Sequence, residues 1–505
     1  MKHQCTKTLA GLMAMLFCLM ALSGCGTGGS EQSGSDTTAD TGTETTLTEV
    51  KNSMLRPGMF YQNPLTDSAA DPMIIEHDGT YYLYSTGNKT LSVRTSKNLL
   101  SWTSQSEPIF SVTDTTWAVK YLWAPEVHEY NGKFYLFYCA KDKDDIFHVD
   151  IAVCDTPNGK FKPLQDKPLL APDYSVIDVS FFEDDDGRTY LFYSKDCSTN
   201  KIDGKRVSQS YGIEVSNDLM TLIGEPVLCA TPTYKWELKS GNTLWNEGPV
   251  VFKRDGRYYL LYSANYYQSE HYSVGYAVSD TVLGLYEKPE DSRILYGNGE
   301  TITGSGHCNL LYIGDEIYLT YHSHTVPPNT DGGRSLYIDQ LMFEEDGTPY
   351  VNGPTNTKMP LPDGINGTQK YDGEFELSAE MEKEQELSVL CDGNISHSLI
   401  GVVEFKDGDT LTVSFDTPQR IDTMWVYSSY SSFTEPNTMD VTINGTYRIE
   451  DVKFSSLKGS PAVAVFSKLP EGTLISKLEI SFTAAEESME GTGITEIQFV
   501  NYVTD

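Results

Sequence analysis

A pattern of apolar and polar positions recurs five times between residues 71 and 323. Each copy has a polar residue, a short apolar run, a two-residue turn, and a second run in which aromatic side chains alternate with others. The copies are DPMIIEHDGTYYLYSTG from Asp71, PEVHEYNGKFYLFYCA from Pro125, DVSFFEDDDGRTYLFYS from Asp178, EGPVVFKRDGRYYLLYSAN from Glu247 and HCNLLYIGDEIYLTYHS from His307. The turns are Asp-Gly, Asn-Gly or Gly-Asp, which supply the positive φ that tight hairpins require. Period-two alternation around such turns predicts a β-hairpin in every copy.

The spacing of the hairpins predicts how they assemble. One tyrosine opens each second strand, at intervals of 53, 55, 69 and 59 residues: Tyr82, Tyr135, Tyr190, Tyr259 and Tyr318. A further short strand follows four of the hairpins, so each repeat holds three or four strands, which is the size of a propeller blade. Helical solenoids are excluded because these segments alternate with a period of two. The sequence therefore predicts a five-bladed β-propeller.

Beyond residue 362 the fivefold pattern stops. Residues 363–376 are polar and glycine-rich, which is typical of a linker. Alternating runs such as TLTVSFD and LEISFT then predict a β-sandwich over residues 377–505. The predicted fold is all-β: a propeller over residues 56–362, followed by a smaller, jelly-roll-like β-sandwich.

The N-terminus has the pattern of an export signal. Lysines precede the fourteen-residue apolar run LAGLMAMLFCLMAL, which is shorter than the ~20 residues that span a bilayer. Residues 1–24 are therefore predicted to be a signal peptide. The sequence LSGC resembles a bacterial lipobox that would lipidate Cys25; ordinary cleavage, which leaves Cys25 as a free thiol, is the alternative. Residues 25–55 lack an apolar core and predict a flexible tether. We expect an extracytoplasmic cell-envelope lipoprotein that contacts the membrane through its lipid alone.

The charge balance limits the partners. The chain has 71 acidic and 37 Lys and Arg residues, a net charge of −34 at pH 7, and no basic cluster. Such a surface repels phosphate backbones, so no nucleic-acid partner is expected. The cysteines show neither close pairs nor zinc-ligand spacing, so a disulfide framework is not expected. We expect a monomer.

In a propeller, the polar residue that opens each repeat has a predictable position. Quasi-fivefold symmetry is expected to bring five side chains together at one end of the central channel: Asp71, Glu126, Asp178, Glu247 and His307. Carboxylates at short range raise one another's pKa, so a structural protein has little reason to keep such a ring. Turn chemistry explains one acid before a strand, but not four in register.

Five motifs occur in order along the chain: NPLTDSAADP before the first hairpin, WAPE at Trp123–Glu126, VIDVSFF around Asp178, NEGP at Asn246–Pro249 and GSGH at Gly304–His307. In combination they resemble glycoside hydrolase family 43, whose members are five-bladed β-propellers. The resemblance covers residues 58–362. It implies an inverting hydrolase with a carbohydrate substrate, most simply an α-L-arabinofuranosidase or arabinanase acting on plant polysaccharides, with a β-xylosidase as the alternative.

By position, the resemblance implies that Asp71 is the general base that activates water and that Glu247 is the general acid. Asp178 would orient the acid and raise its pKa. The residues support this division, because Asp has a lower intrinsic pKa than Glu and a neighbouring carboxylate helps Glu247 keep its proton. His307 matches a channel histidine that lies beside a water-coordinated calcium or sodium ion in the family.

Three more residues are candidate sugar contacts. Arg334 matches an arginine that contacts substrate hydroxyls in the family, or is a surface strand residue. Trp123 stacks on a sugar ring or packs within its blade, and Glu126 has at most a binding role. His322 and His324 are expected to be structural or rim residues.

The C-terminal sandwich has two interpretations. LCDGNIS and RIDTMWVYS loosely resemble a galactose-binding-like domain, which implies carbohydrate binding. The alternative is a domain that supports the propeller. The aromatics expected on its surface are Trp425, Tyr427 and Tyr430.

Two other classes of protein fit parts of the sequence. A non-catalytic glycan-binding lipoprotein could keep the propeller, but the complete set of Asp71, Asp178 and Glu247 favours an enzyme. Retaining fructan-active enzymes also have five blades. Their Asn-Asp-Pro-Asn motif is missing here, because Ala70 precedes Asp71 and Pro72.

Overall fold

The fold was obtained as a computed structural model, which describes residues 3–5, 46–327, 333–395, 401–429, 436–455, 460–484 and 492–503. Strands make up nearly all of its regular structure. The few helical turns are single 3₁₀ segments at Val112–Asp114, Lys235–Leu238, Ile365–Gly367 and Ser388–Cys391. None of the helices in these ranges is long and apolar enough to cross a membrane.

Five antiparallel sheets of four strands each follow one another along the chain. Blade 1 comprises Met73–His77, Thr80–Tyr84, Val93–Ser96 and Thr103–Ser104. Blade 2 comprises Lys120–Tyr130, Lys133–Lys141, Phe147–Cys154 and Lys162–Pro163. Blade 3 comprises Val176–Glu183, Thr189–Lys195, Gln209–Val215 and Leu222–Ala230. Blade 4 comprises Asn246–Arg254, Arg257–Ala264, Ser273–Ser279 and Arg293–Tyr296. Blade 5 comprises Gly306–Ile313, Glu316–His324, Arg334–Phe343 and Pro349–Val351.

Each blade contacts the next, and the last contacts the first. His77 packs on Phe134 between blades 1 and 2, and Phe137 stacks on Phe181 between blades 2 and 3. Lys253 pairs with Asp184 between blades 4 and 3, and Tyr259 donates a hydrogen bond to the Gly347 carbonyl between blades 4 and 5. Thr320 of blade 5 donates a hydrogen bond to the Pro72 carbonyl beside blade 1. Tyrosines, phenylalanines and branched aliphatics fill the space between blades. Burial of these alternating side chains is the main force that holds the ring together. The predicted five-bladed propeller is confirmed.

Short strands outside the blades complete the propeller region. Phe60–Gln62 pairs with Lys358–Pro360, and Thr90–Leu91 pairs with Phe110–Ser111. Lys201–Ile202 and Lys205–Val207 form a hairpin that lies beside Thr243–Leu244.

Two further sheets pack face to face and form the predicted sandwich. The first has the strand order His3–Cys5, Phe375–Glu380, Thr410–Gln419, Ile475–Ala484, Pro436–Ile443, Tyr447–Lys453 and Thr48–Glu49. The second has the order Thr368–Lys370, Thr492–Tyr502, Thr423–Ser428 and Ala462–Val465, with Val403–Phe405 beside Thr492–Tyr502. One core of aliphatic and phenylalanine side chains lies between them.

The N-terminal expectations meet the structure only in part. Strand Thr48–Glu49 runs parallel to Tyr447–Lys453, and Val50 is buried in the sandwich core. Asn52 donates a hydrogen bond to the Val463 carbonyl. The segment expected as tether is therefore ordered from residue 48 onward. Cys25 lies outside the described residues, as does the expected signal peptide apart from His3–Cys5.

The prediction that aromatic side chains lie on the surface of the sandwich is wrong for Trp425 and Tyr427. Trp425 and Tyr427 are completely buried and belong to one apolar cluster with Tyr61 and Tyr318 of the propeller region. Tyr430 lies outside the described residues. Their alternating strand pattern resembled an exposed face because the propeller that covers it is distant in sequence. Trp425 and Tyr427 are therefore not free to stack on a sugar.

The predicted linker also takes part in the interface. Lys370, in a strand of the sandwich, pairs with Glu316 of blade 5 and donates to the Tyr318 hydroxyl at 3.1 Å. Among the cysteines, Cys391 is disulfide-bonded, which the spacing did not predict. The free cysteines Cys139, Cys154, Cys197, Cys229 and Cys308 are buried or half-buried.

Candidate active site

A backbone irregularity occurs at the same place in all five inner strands. One residue per blade has a left-handed φ, between 40° and 56°: Asp71, Ala124, Asp178, Gly248 and His307. In blades 2 to 5 it lies where the pairing register shifts, at a β-bulge. Bulges re-aim side chains and are concentrated near active sites. Positive φ in residues other than glycine is uncommon and marks places where tertiary structure overrides local preference.

The pairing shows that these five residues are structurally equivalent. Each lies four residues before the one that pairs with the hairpin tyrosine; those partners are Ile75, His128, Phe182, Phe252 and Leu311. Two of the five expected ring members therefore differ in position. Blade 2 contributes Ala124 to the ring instead of Glu126, and blade 4 contributes Gly248 instead of Glu247.

Glu126 lies two residues further along its strand than the ring position, at the same place in blade 2 as Asn309 in blade 5. Its two carboxylate oxygens contact Asn309 Nδ2 at 2.7 Å and His128 Nε2 at 2.8 Å. Asn309 lies two residues after His307, as Glu126 lies two after Ala124, so the pair joins equivalent positions of blades 5 and 2. Both side chains are buried. The carboxylate of Glu126 is thus already satisfied by protein groups and does not reach the acids above it.

Asp71 is surrounded by hydrogen-bond donors and positive charge. Arg334 Nη1 donates to its Oδ1 at 2.8 Å, and the Thr86 hydroxyl donates to Oδ2. His307 Nδ1 lies 3.4 Å from Oδ1. Burial by itself would raise the pKa of Asp71, but Arg334 first, then His307, and the hydrogen bond from Thr86 hold that pKa well below its ordinary value. These contacts favour the ionised form of Asp71.

Glu247 has the opposite environment. Its side chain is buried, and Tyr272 donates to Oε1 at 3.0 Å. Burial raises the pKa of Glu247 well above its ordinary value, and the nearby carboxyl of Asp178 raises it further. Asp178 is itself buried, which raises its pKa to about 6, although His307 and the Gly248 N–H oppose the shift. These shifts favour the protonated form of Glu247.

Gly248 makes room for this arrangement. Its N–H donates to Asp178 Oδ2 at 3.1 Å, which links the backbone beside Glu247 to the neighbouring acid. Its φ is 56°, and a Cβ at this position would lie 3.2 Å from His307 Nδ1. Glycine is the residue that fits both conditions without strain. The acid of blade 4 is therefore supplied by the preceding residue, Glu247, whose longer side chain comes near Asp178 and Asp71.

His322 lies nearer the acids than the sequence indicated. It is completely buried, its Nδ1 accepts a hydrogen bond from the Asp71 N–H at 3.2 Å, and its ring stacks on Tyr272 with 5.6 Å between centroids. Burial and then Arg334 hold its pKa well below the ordinary value. His322 is thus a neutral positioning residue for Asp71. His324, two residues on, is also buried, and its Nε2 is 2.9 Å from the Tyr267 carbonyl oxygen.

The two remaining sugar-contact candidates lie in different settings. Arg334 is mostly buried and bonded to Asp71, so it belongs to the acid cluster. Trp123 is half-buried and packs on Phe147 at 4.6 Å and on Tyr121 at 5.2 Å between ring centroids. These contacts lie within blade 2, and Trp123 also packs against the apolar core that blades 2 and 3 share. They fit the packing interpretation of Trp123 better than sugar stacking.

Three residues of the site were not predicted as site residues from the sequence: Thr86, Tyr272 and His322. Thr86 follows the second strand of blade 1 and also accepts the Ala124 N–H at 2.9 Å. Tyr272 precedes the third strand of blade 4. Such residues become neighbours only when the ring closes, so motif comparison does not find them. The sequence signal that could have identified such a residue is a polar or aromatic side chain at the end of the blade where the bulge lies.

The cluster does not form a direct metal site. Within the described ranges, no three His, Cys, Asp or Glu side chains are arranged to hold an ion. His307 Nδ1 faces Asp71, whose oxygens are already occupied by Arg334 and Thr86. The donor set therefore does not fit an ion held by several protein ligands.

Comparisons with known proteins agree with this geometry. The profile of glycosyl hydrolases family 43 matches residues 61–349. The chain is 29% identical over 301 residues to an extracellular exo-alpha-(1->5)-L-arabinofuranosidase of Streptomyces chartreusis, covering 56% of this chain and 88% of that protein. It is 28% identical over 256 residues to a beta-xylosidase of Xylanibacter ruminicola, covering 47% and 76%. A crystal structure of a thermostable family-43 glycoside hydrolase is 39% identical, with a TM-score of 0.58, and the match covers 60% of this chain and 99% of that one.

Proposed function

This chain belongs to glycosyl hydrolases family 43 and is an inverting glycoside hydrolase, and we propose that it releases α-L-arabinofuranosyl units from plant polysaccharides or oligosaccharides. The observation that carries the proposal is the contrast between two buried carboxyls. Asp71 accepts from Arg334 and Thr86, whereas Glu247 accepts from Tyr272 and lies near another acid. Inverting hydrolysis needs one carboxylate that stays ionised and one carboxylic acid that keeps its proton.

In the proposed mechanism, Asp71 is the general base. It removes a proton from water as the water oxygen attacks the anomeric carbon. Glu247 is the general acid, and it donates its proton to the glycosidic oxygen as the bond to the anomeric carbon breaks. Asp71 gains one proton and Glu247 loses one, so the total number of protons on the two acids does not change. The attack from the face opposite the leaving group inverts the configuration, which requires the two carboxyls to be about 6.5–9.5 Å apart.

Asp178 and Arg334 support these roles. The charge of Asp178 makes loss of the proton from Glu247 less favourable before the leaving group departs. Arg334 keeps Asp71 ionised and fixes its orientation. No step is assigned to an ion at His307, and the water-coordinated ion expected there stays a prediction.

Activity on matched substrates tests the proposal. We expect hydrolysis of aryl α-L-arabinofuranoside and of arabino-oligosaccharides, with weaker activity on aryl β-xyloside, which is the second candidate because a relative is named for it. Glu247→Gln and Asp71→Asn are expected to lose activity. NMR of the first-formed sugar is expected to show the inverted anomer. Full activity in both variants would disprove the assignment, and faster cleavage of the xyloside would favour the second substrate.

We also propose that the chain acts outside the cytoplasm as a lipoprotein attached through Cys25. The lipobox-like sequence and the Gly- and Ser-rich stretch after it support this placement, and one relative is named extracellular. Metabolic labelling with a fatty acid is expected to mark the wild type and not Cys25→Ala. Labelling of both proteins equally would refute it. We further propose the domain boundaries given above, with the sandwich acting as support for the propeller because Trp425 and Tyr427 are buried against it.

A further inference from the structure

Three aromatic side chains form a cluster on the rim of the site. This rim cluster consists of Trp245, Tyr266 and Tyr267. The rings of Trp245 and Tyr266 are 5.3 Å apart with 33° between their planes, and those of Tyr266 and Tyr267 are 4.9 Å apart at 64°. Tyr266 is 38% exposed, and the other two are half-buried. The cluster therefore presents aromatic surface to solvent beside buried acids.

The cluster is not part of the packing that holds the propeller together. In the described part of the chain, none of its members belongs to the hydrophobic cores or to the residues packed against them. Trp123, by contrast, packs against one of these cores. A surface patch of large aromatics without a packing role indicates a binding site.

The loop that carries the two tyrosines is held firmly. Asn265, with a φ of 75°, donates from Nδ2 to the carbonyls of Trp236 at 2.8 Å and His271 at 3.0 Å. The Tyr266 N–H donates to Ser240 Oγ at 2.9 Å. These bonds connect the start of the loop to the segment before Trp245 and to the far end of the loop at His271. The backbone that carries the exposed ring of Tyr266 is thus held in place before any ligand arrives, which reduces the entropy lost on binding.

The position of the cluster relative to the acids decides which part of a substrate it would meet. Trp245 lies two residues before Glu247, and the Arg334 guanidinium lies 4.6 Å from the centre of the Tyr267 ring. Burial and Tyr267 raise the pKa of Tyr266, and Glu247 adds to the shift, so these groups are near one another. The general acid protonates the oxygen of the leaving group. Rings on the side of Glu247 therefore lie where the leaving sugar must be.

We propose that Trp245 and Tyr266 form a subsite for the first sugar unit of the leaving group, which stacks its C–H face on their rings. This inference rests on the proposed function. The C–H groups of a sugar face are apolar and carry slight positive charge, and the face of an aromatic ring is negative, so stacking is favourable. The subsite makes the enzyme prefer glycosidic bonds whose leaving group is another sugar.

Two substrates that share the cleaved sugar separate this role from catalysis. One is an arabino-oligosaccharide, and the other is the arabinofuranosyl fluoride, whose leaving group cannot occupy a sugar subsite. Trp245→Ala and Tyr266→Ala are each expected to lower kcat/KM for the oligosaccharide about tenfold, a typical effect of losing one aromatic contact. Activity on the fluoride is expected to stay within about twofold of wild type. Tyr296→Ala is the matched control, because Tyr296 is 48% exposed on the outer strand of blade 4.

Folding and mechanism are checked in the same variants. Trp245→Tyr keeps an aromatic ring and is expected to recover most of the lost oligosaccharide activity, and thermal unfolding compares all variants with wild type. Equal losses on both substrates in a folded variant would overturn the subsite and leave the proposed function intact. A wild type that cleaves neither substrate would instead overturn the proposed function, and the subsite with it.

Discussion

Replacing Lys288 by methionine is expected to leave a carboxylate without its counter-ion inside the protein. Lys288 Nζ donates to Glu237 Oε1 at 2.6 Å, to Asn246 Oδ1 at 2.7 Å and to the Thr231 carbonyl at 2.7 Å. The two charged side chains are 6% and 0% exposed. Because Asn246 directly precedes Glu247, the pair also supports the backbone that carries the general acid.

The size of the effect follows from this burial. Removing one partner of a buried ion pair costs about 3–5 kcal/mol, because the other charge stays desolvated and unpaired. The attraction within the pair is largely offset by desolvation: burial lowers the pKa of Lys288 to about 8 although Glu237 opposes the shift. Replacing both charges together is therefore expected to cost much less than replacing Lys288 alone. An exposed pair such as Lys133 with Asp155 contributes at most about 1 kcal/mol.

Urea unfolding at pH 6 measures these differences, with kcat followed in parallel. We expect Lys288→Met to lose about 3–5 kcal/mol of unfolding free energy and to lower kcat. Adding Glu237→Gln to it is expected to restore part of the stability. Lys133→Met is the control and should change stability by less than about 1 kcal/mol. A loss below about 1 kcal/mol in Lys288→Met, or a double variant less stable than the single one, would refute the reasoning.

Three further predictions concern the acids. Asp178→Asn removes a charge that raises the pKa of Glu247, so the fall of kcat/KM at alkaline pH is expected at a lower pH than in wild type; an unmoved alkaline limb would contradict it. Arg334→Met raises the pKa of Asp71. As the solution is acidified, the base is then protonated, and kcat/KM is expected to fall, at a higher pH than in wild type. An unchanged fall of kcat/KM at acidic pH would contradict this. Gly248→Ala places a side chain at φ 56°, which costs about 1 kcal/mol, and against a histidine ring. A lower melting temperature and a lower kcat are expected, and wild-type values for both would show that the bulge tolerates a Cβ.

Much of the propeller was predictable because its signals are local. Each hairpin is specified by an Asn-Gly, Asp-Gly or Gly-Asp turn between alternating strands, and each lies where the pattern predicted. The bulges were not predictable, because a one-residue shift in pairing leaves no mark in the alternation. Because Ala124 is apolar, the pattern indicated Glu126 as the polar residue that opens the second repeat, whereas the bulge places Ala124 in the ring.

Other parts of the site depend on contacts between distant segments. His322 looked like a structural or rim residue because its strand alternates regularly, yet ring closure places it against Asp71. Trp425 and Tyr427 looked exposed for a related reason, since their cover comes from the propeller. Asp71, Asp178, Glu247 and their surroundings are near one another as expected, while their roles stay predictions until the variants are measured.

The strand Thr48–Glu49 has a consequence for the order of folding. The sandwich is built from residues on both sides of the propeller, so in the finished fold the propeller is an insertion within the other domain. During synthesis the blades emerge complete before the partner strand Tyr447–Lys453 exists. This edge of the sandwich therefore closes only after the whole propeller has been synthesised. Because the two strands of this edge pair are parallel, a pull on the chain before residue 48 loads the hydrogen bonds between them in shear. The force then enters the protein through the sandwich and does not pass through the propeller that carries the acids.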